Sequence, residues 1–283
     1  METMAYYALW SGMIATALAL TAGLTYALVP RLAMRSAMTN VGVVQVPVVV
    51  AGTAWLKGGS RGMSWLAAAV LVAYLGFRWT ASDLPPASNM WEYTVAFGWA
   101  LVVGAGLVDW RYRAWGLSLM LLAGALALFV IAEASFSSQI GPVPAHLQVK
   151  YLLTLHVSTM LVAFGAFGVA FAGAVGLLVR EISDGPKWLP TKRVLEQISG
   201  TAAMLGFPFY TLGLAVGSYW MNSLWGKYWD WDTKAASSVA AWLIFTAYFH
   251  AWNLRGWRAT RAPLLLIAGF GALMFSYFGV NLW

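Results

Sequence analysis

Eight stretches of this chain are apolar for long enough to cross a hydrocarbon layer, and this constrains its fold more than any other feature. They run at about 5–29, 62–80, 91–108, 115–133, 152–179, 198–220, 237–254 and 262–282, each near the roughly 20 residues that a spanning helix needs. Hydrocarbon offers no water to backbone N–H and C=O groups, so spans of this kind are helices. A chain that is 61% hydrophobic and 10% charged, with a mean hydropathy of +0.70, lies outside the soluble globular range. The expected fold class is therefore all-α, a polytopic integral membrane protein with one membrane domain over 1–283. Glu2 precedes the first run where a signal peptide would carry basic residues, and the run exceeds a signal-peptide core, so it is expected to be a retained span.

A ninth candidate lies at 37–56. Asn40, Gln45 and Pro47 interrupt it and it is rich in valine, which leaves a crossing helix and a re-entrant or surface segment both open. Lysine and arginine arbitrate. If 37–56 does not cross, 13 of the 17 basic residues fall on one side and four (Arg78, Lys150, Lys227, Lys234) on the other; if it crosses, Arg31 and Arg35 change sides and the split worsens to 11 and 6. The positive-inside rule favours eight spans with both termini outside. In either arrangement the loop at about 221–236 faces the outer compartment.

The net charge of +7 and the pI near 9.7 do not point to nucleic acid, because the excess sits in short cytoplasmic turns where topology and anionic lipid account for it. There is no Gly-rich phosphate loop in a strand–helix setting and no serine–histidine–aspartate set. The chain has no cysteine, so it carries neither thiol exchange nor a thiolate–metal site. No internal repeat or low-complexity tract is present.

Between two apolar stretches stands Trp225-Gly226-Lys227-Tyr228-Trp229-Asp230-Trp231-Asp232-Thr233-Lys234. Two readings fit it. Trp and Tyr collect at membrane interfaces because their rings are amphipathic. Alternatively, the rings cover a flat apolar macrocycle while Lys and Asp meet its charged rim. Histidine is scarce: His146, His156 and His250. His156 lies about four residues into the fifth span, at the level of the Trp-rich loop. His250 lies 13 residues into the seventh span, or ~20 Å below the outer boundary at ~1.5 Å per residue. An interhelical hydrogen bond is the ordinary role for such a histidine, and axial ligation of haem iron at two depths is the functional one.

Trp225-Gly226-x-Tyr228-Trp229-x-Trp231-Asp232-x-Lys234, followed by Ala241-Trp242-Leu243-Ile244-Phe245 and Tyr248-Phe249-His250, resembles the tryptophan-rich "WWD" region of haem-handling membrane proteins. The similarity is greatest to the CcsA/ResC branch of system II cytochrome c biogenesis. Pro86-Ala87-Ser88-Asn89-Met90-Trp91-Glu92 resembles that family's outer P-x-S-N-x-Y-E segment, Leu155-His156-Val157-Ser158 its outer-histidine segment, and Gly279-Val280-Asn281-Leu282 the end of its last helix. The likeness covers about 76–283.

The resemblance implies that His156 is an axial ligand to haem b at the outer platform and that His250 ligates haem within the membrane. It also implies that Trp225, Tyr228, Trp229, Trp231, Asp232 and Lys234 present haem to the CxxCH motif of an apocytochrome c, beside a ResB/CcsB-like membrane partner. Two positions depart from the pattern. Asp232-Thr233-Lys234-Ala235 stands where the family reads Asp-Pro-Lys-Glu. The family's second outer histidine lies beyond the Gly-Val-Asn-Leu match, past Trp283, which makes His146 a candidate replacement. The alternatives are a non-ligating haem-binding accessory protein of the HemX type, a respiratory-complex subunit, and a haem exporter. Asn89 and Glu92 suit a helix start or orientation of the platform, and Glu133 reads as a boundary residue.

Overall fold

The computed structural model describes residues 1–32, 34–39, 42–47, 54–82, 84–86, 89–139, 149–182, 188–253, 257 and 261–280. Among these, eight α-helices follow one another: α1 (Glu2–Leu32), α2 (Ala54–Ser82), α3 (Met90–Tyr112), α4 (Trp115–Ser135), α5 (Lys150–Ile182), α6 (Lys192–Trp225), α7 (Thr233–Asn253) and α8 (Ala262–Met274), the last running into a π-helical turn over Phe275–Gly279. Seven of them, α8 counted together with its π-helical turn, are long and apolar enough to cross a membrane. The other, α7, has the length, at 21 residues and ~1.5 Å per residue, but carries Lys234, Ser237, Ser238, Thr246, His250 and Asn253. Several helices outrun their apolar cores. α2 begins at Ala54 rather than near 62, and α6 covers 192–225 rather than 198–220, because a helix that leaves hydrocarbon keeps its internal hydrogen bonds.

The segment 34–47 is not a spanning helix. β1 (Met34–Thr39) pairs antiparallel with β2 (Gly42–Pro47), in register from Met34 opposite Pro47 to Thr39 opposite Gly42. A six-residue strand at ~3.3 Å per residue reaches only ~20 Å, short of the ~30 Å of hydrocarbon. The valines at 43, 44 and 46 favour extended backbone. Residues 48–53 lie outside the described set.

Consecutive helices pack as pairs, α1 on α2, α3 on α4, α5 on α6 and α7 on α8, while α3 and α5 join the pairs to one another. Their central place shows in burial: 78% of the apolar window of α3 and 72% of that of α5 are buried, against 33% for α1 and 28% for α2. Small residues permit the approach, since apolar side chains gain nothing from leaving lipid and close packing must hold the helices together. A Cβ on Gly98 would stand 2.4 Å from the Phe129 ring, and one on Gly168 2.5 Å from Leu101. Phe167 of α5 and Phe245 of α7 stack with centroids 3.7 Å apart.

One end of the bundle is tied by polar groups. Asn89 caps α3, its side chain accepting from the Glu92 N–H at 2.8 Å, so the helix-start reading of Asn89 holds. The Glu92 carboxylate instead takes the Nε–H of Arg78 from α2 at 2.5 Å, with the two side chains 1% and 8% exposed. Arg78 also donates to the Ser138 carbonyl at 2.6 Å, joining α2, α3 and the segment after α4. Tyr277 in the π-helical turn shares a 2.7 Å hydrogen bond with Thr94 and donates to the Met90 carbonyl at 3.2 Å. A buried ion pair costs desolvation on both partners, but removing one partner strands the other charge. Arg78→Met should therefore destabilise the purified protein by about 3–5 kcal/mol, and adding Glu92→Met should recover most of the loss in equilibrium unfolding.

Candidate functional site

The aromatic segment is shorter as a loop than 221–236, because helix geometry claims both its ends. α6 runs to Trp225 and stops at Gly226, whose left-handed conformation (φ 66°, ψ 16°) suits a residue without Cβ and lets its N–H donate to the Asn222 carbonyl. α7 starts at Thr233, with the Asp232 carboxylate accepting from the Ala235 N–H at 2.7 Å. Asp232 is thus the N-cap of α7, a role the sequence reading did not assign to it. Between the caps, the Ser218 hydroxyl donates to the Tyr228 carbonyl at 2.5 Å. Lys227 and Asp230 pair at 3.8 Å on the exposed surface, where such pairs contribute little.

The rings divide into two groups. Trp225, Tyr228 and Trp231 are exposed, at 62%, 59% and 75%. Trp229 is half-buried and meets Trp231 edge-on, with centroids 5.7 Å apart and planes at 73°. The Nε1 atoms of Trp229 and of Trp220, five residues before the end of α6, are enclosed without a hydrogen-bond partner among the described residues. Buried indole N–H groups ordinarily find an acceptor, and two orphans in one region suit a polar atom supplied from outside the chain.

His156 stands beside Trp220. Its Nδ1 lies 2.9 Å from the Gly213 carbonyl of α6; a carbonyl only accepts, so Nδ1 carries the proton and Nε2 keeps its lone pair. A second hydrogen bond of this kind is how proteins orient a ligating imidazole. The ring centroid is 5.8 Å from that of Trp220. Gly217 makes the space, since a Cβ there would come within 2.9 Å of the imidazole Cε1 and Nδ1. Lys234, in the first turn of α7, lies within electrostatic range of the ring. Its carbonyl accepts from Ser238 at 2.7 Å, and Ser238 bonds Ser276 of the π-helical turn at 2.8 Å, which straps the start of α7 to the end of α8.

The structure therefore brings His156, Trp229, Trp231, Asp232 and Lys234 to one end of the bundle. It does not bring His250 to them. His250 is in the last turn of α7, 16 residues from Lys234, and its side chain is exposed, whereas Tyr248 and Ala251 turn inward. His146 lies outside the described residues. The residues missed from sequence are Gly213, Gly217 and Trp220, whose i, i+4, i+7 spacing marks one helical face. Among the described residues no three His, Cys, Asp or Glu side chains gather around a point that could hold a bare metal ion. Haem asks for less, because the porphyrin fills four positions and one or two imidazoles complete the iron. The free Nε2 and the two orphan N–H groups fit it.

The fold and site define a polytopic helical membrane protein with a capped aromatic loop above a ligand-ready imidazole. Residues 87–283 match the family described as cytochrome C assembly protein. The cytochrome c biogenesis protein CcsA of Synechococcus elongatus is 31% identical over 288 residues, covering 80% of this chain and 86% of its own. Its namesakes in Synechocystis sp. and Chlamydomonas reinhardtii are 26% and 29% identical, over 81% and 75% of this chain and 86% and 63% of theirs. The chain belongs to the cytochrome c assembly family, whose members handle haem for cytochrome c maturation.

The capping geometry carries its own prediction. Asp232→Ala should cost about 1 kcal/mol of stability and Asp232→Asn only a few tenths, because an amide oxygen still caps; thermal unfolding of the purified variants measures both.

Proposed function

We propose that this chain holds haem b on the extracytoplasmic side of the cell membrane and presents it to the CxxCH motif of an apocytochrome c. His156 ligates the iron through Nε2, the rings of Trp225, Tyr228, Trp229 and Trp231 line the macrocycle, and the Lys234 ammonium meets a propionate. Haem supplies two vinyl groups. Each takes up one cysteine thiol, with the sulfur bonding to one vinyl carbon and the hydrogen going to the other, so no external oxidant or reductant enters. The protein's contribution is position, since a fixed haem and a docked CxxCH segment turn an encounter in solution into an oriented reaction.

The observation that carries this reading is the Nδ1 hydrogen bond of His156 to Gly213, which leaves Nε2 available beside Trp220 and the loop. His250, exposed at the far end of α7, is assigned to haem within the membrane, where a ResB/CcsB-like partner packs against that face and adds its own ligand. His146 is the candidate for the second axial position at the loop.

The two histidines make different predictions. In protein purified with any partner from haem-replete cells, His156→Ala should lower Soret absorbance per folded protein on the order of tenfold. His250→Ala should also deplete haem, and added imidazole should partly restore it by entering the vacated position. A wild-type protein without a Soret band, or unchanged haem per folded protein in both variants, overturns the proposal.

A further inference from the structure

A cavity of about 420 Å³ opens at the same end of the bundle as the aromatic loop, on the other side of α3. It lies where α1, α2, α3 and α4 meet, and Glu2, Tyr6, Tyr74, Arg78, Trp91 and Glu133 line it. The floor is buried: Tyr74 is 1% exposed, Trp91 5% and Arg78 7%. The Tyr74 hydroxyl, wholly enclosed, has no hydrogen-bond partner among the described residues. A phenol kept so far from water without a partner is costly unless something occupies the cavity beside it.

Two carboxylates at the mouth suit a cation. Arg78 is neutralised by Glu92 at 2.5 Å and its guanidinium lies 5.3 Å from the Trp91 ring centre, so the acidic groups left lining the mouth are the exposed carboxylates of Glu2 and Glu133, the first of them next to the α-ammonium of Met1. A bare metal ion lacks the ligand set among the described residues. An N–H-bearing organic cation matches better, with carboxylates to neutralise it, a phenol oxygen to accept from it and the aromatic faces of Tyr6 and Tyr74 beside it. The level is also marked. Tyr6 at the cavity and Tyr7, Trp10 and Trp79 elsewhere on α1 and α2 are exposed, the composition of an aromatic belt at headgroup depth.

We propose that this cavity binds a primary alkylammonium group, seated between the Glu2 and Glu133 carboxylates with an N–H on the Tyr74 oxygen. Two sources carry that chemistry, the amino headgroup of a phospholipid and a free soluble amine. The test uses the full chain. In detergent, ethanolamine is titrated against choline and sodium chloride at equal ionic strength. In nanodiscs, phosphatidylethanolamine with phosphatidylglycerol is compared with phosphatidylcholine with phosphatidylglycerol. The readout is the unfolding temperature, with helical circular dichroism as the control for folding.

The expected result is a saturable rise on the order of 2–4 °C with the primary amine and none with choline, whose nitrogen has no hydrogen to donate. A rise confined to the phosphatidylethanolamine nanodiscs assigns the lipid as the source, and a rise with free ethanolamine assigns the soluble amine. Glu133→Gln and Tyr74→Phe should each fold and shift the titration midpoint upward by roughly tenfold. No rise in either arm, or an undiminished rise in both variants, overturns the proposal.

Discussion

The interior of a bilayer has no water to satisfy a backbone amide, and the whole structure follows from that. It forces the apolar runs into helices, leaves van der Waals contact as the force between them, and so places glycine where Phe129 and Leu101 must come close. It also drives polar chemistry to the ends of the helices. The Arg78–Glu92 pair, the Tyr277–Thr94 bond, the Ser238–Ser276 strap and the His156–Gly213 bond all sit at one end of the bundle. Several helices meet there within hydrogen-bond distance, and that end is held more firmly than apolar packing alone would hold it.

Rigidity at this end is what a presenting site needs. The loop that carries the tryptophans spans only Gly226 to Asp232 and is closed at both ends by helix caps. Its middle is fastened through Ser218 to the Tyr228 carbonyl. Caps at both ends lower the chain entropy that any ligand held there would otherwise have to remove. The imidazole is likewise aimed in advance, by a carbonyl on one nitrogen and the absence of a Cβ at Gly217.

Which parts of this were legible in the sequence depends on the range over which the residues act. Helix existence was legible from 5–29 to 262–282, because hydrophobic length is a local property. So was the placing of His156 level with the loop, which needs only a count from the start of its helix. The run at 37–56 was left open between a crossing helix and a re-entrant or surface segment, and the pairing of 34–39 with 42–47 was not read from it, because strand register is a contact between two segments that no single run encodes. Asp232 was read for its charge, whereas its position relative to the Ala235 N–H makes it a cap. Glu92 drew attention as a first-turn acid, yet its partner is Arg78, fourteen residues earlier and on another helix. Gly213 and Trp220 were missed because the facing of α5 and α6 is a long-range pairing that no local pattern encodes.

The central claim is that His156 and the capped loop form one haem-holding unit. The most direct measurement is a cryo-electron microscopy map of the haem-loaded protein in a lipid nanodisc. The account predicts porphyrin density over Trp229 and Trp231, with the iron within bonding distance of the His156 Nε2 and the Nδ1–Gly213 hydrogen bond intact. Porphyrin density remote from His156, with the indoles of the loop packed among lipid headgroups, would contradict it.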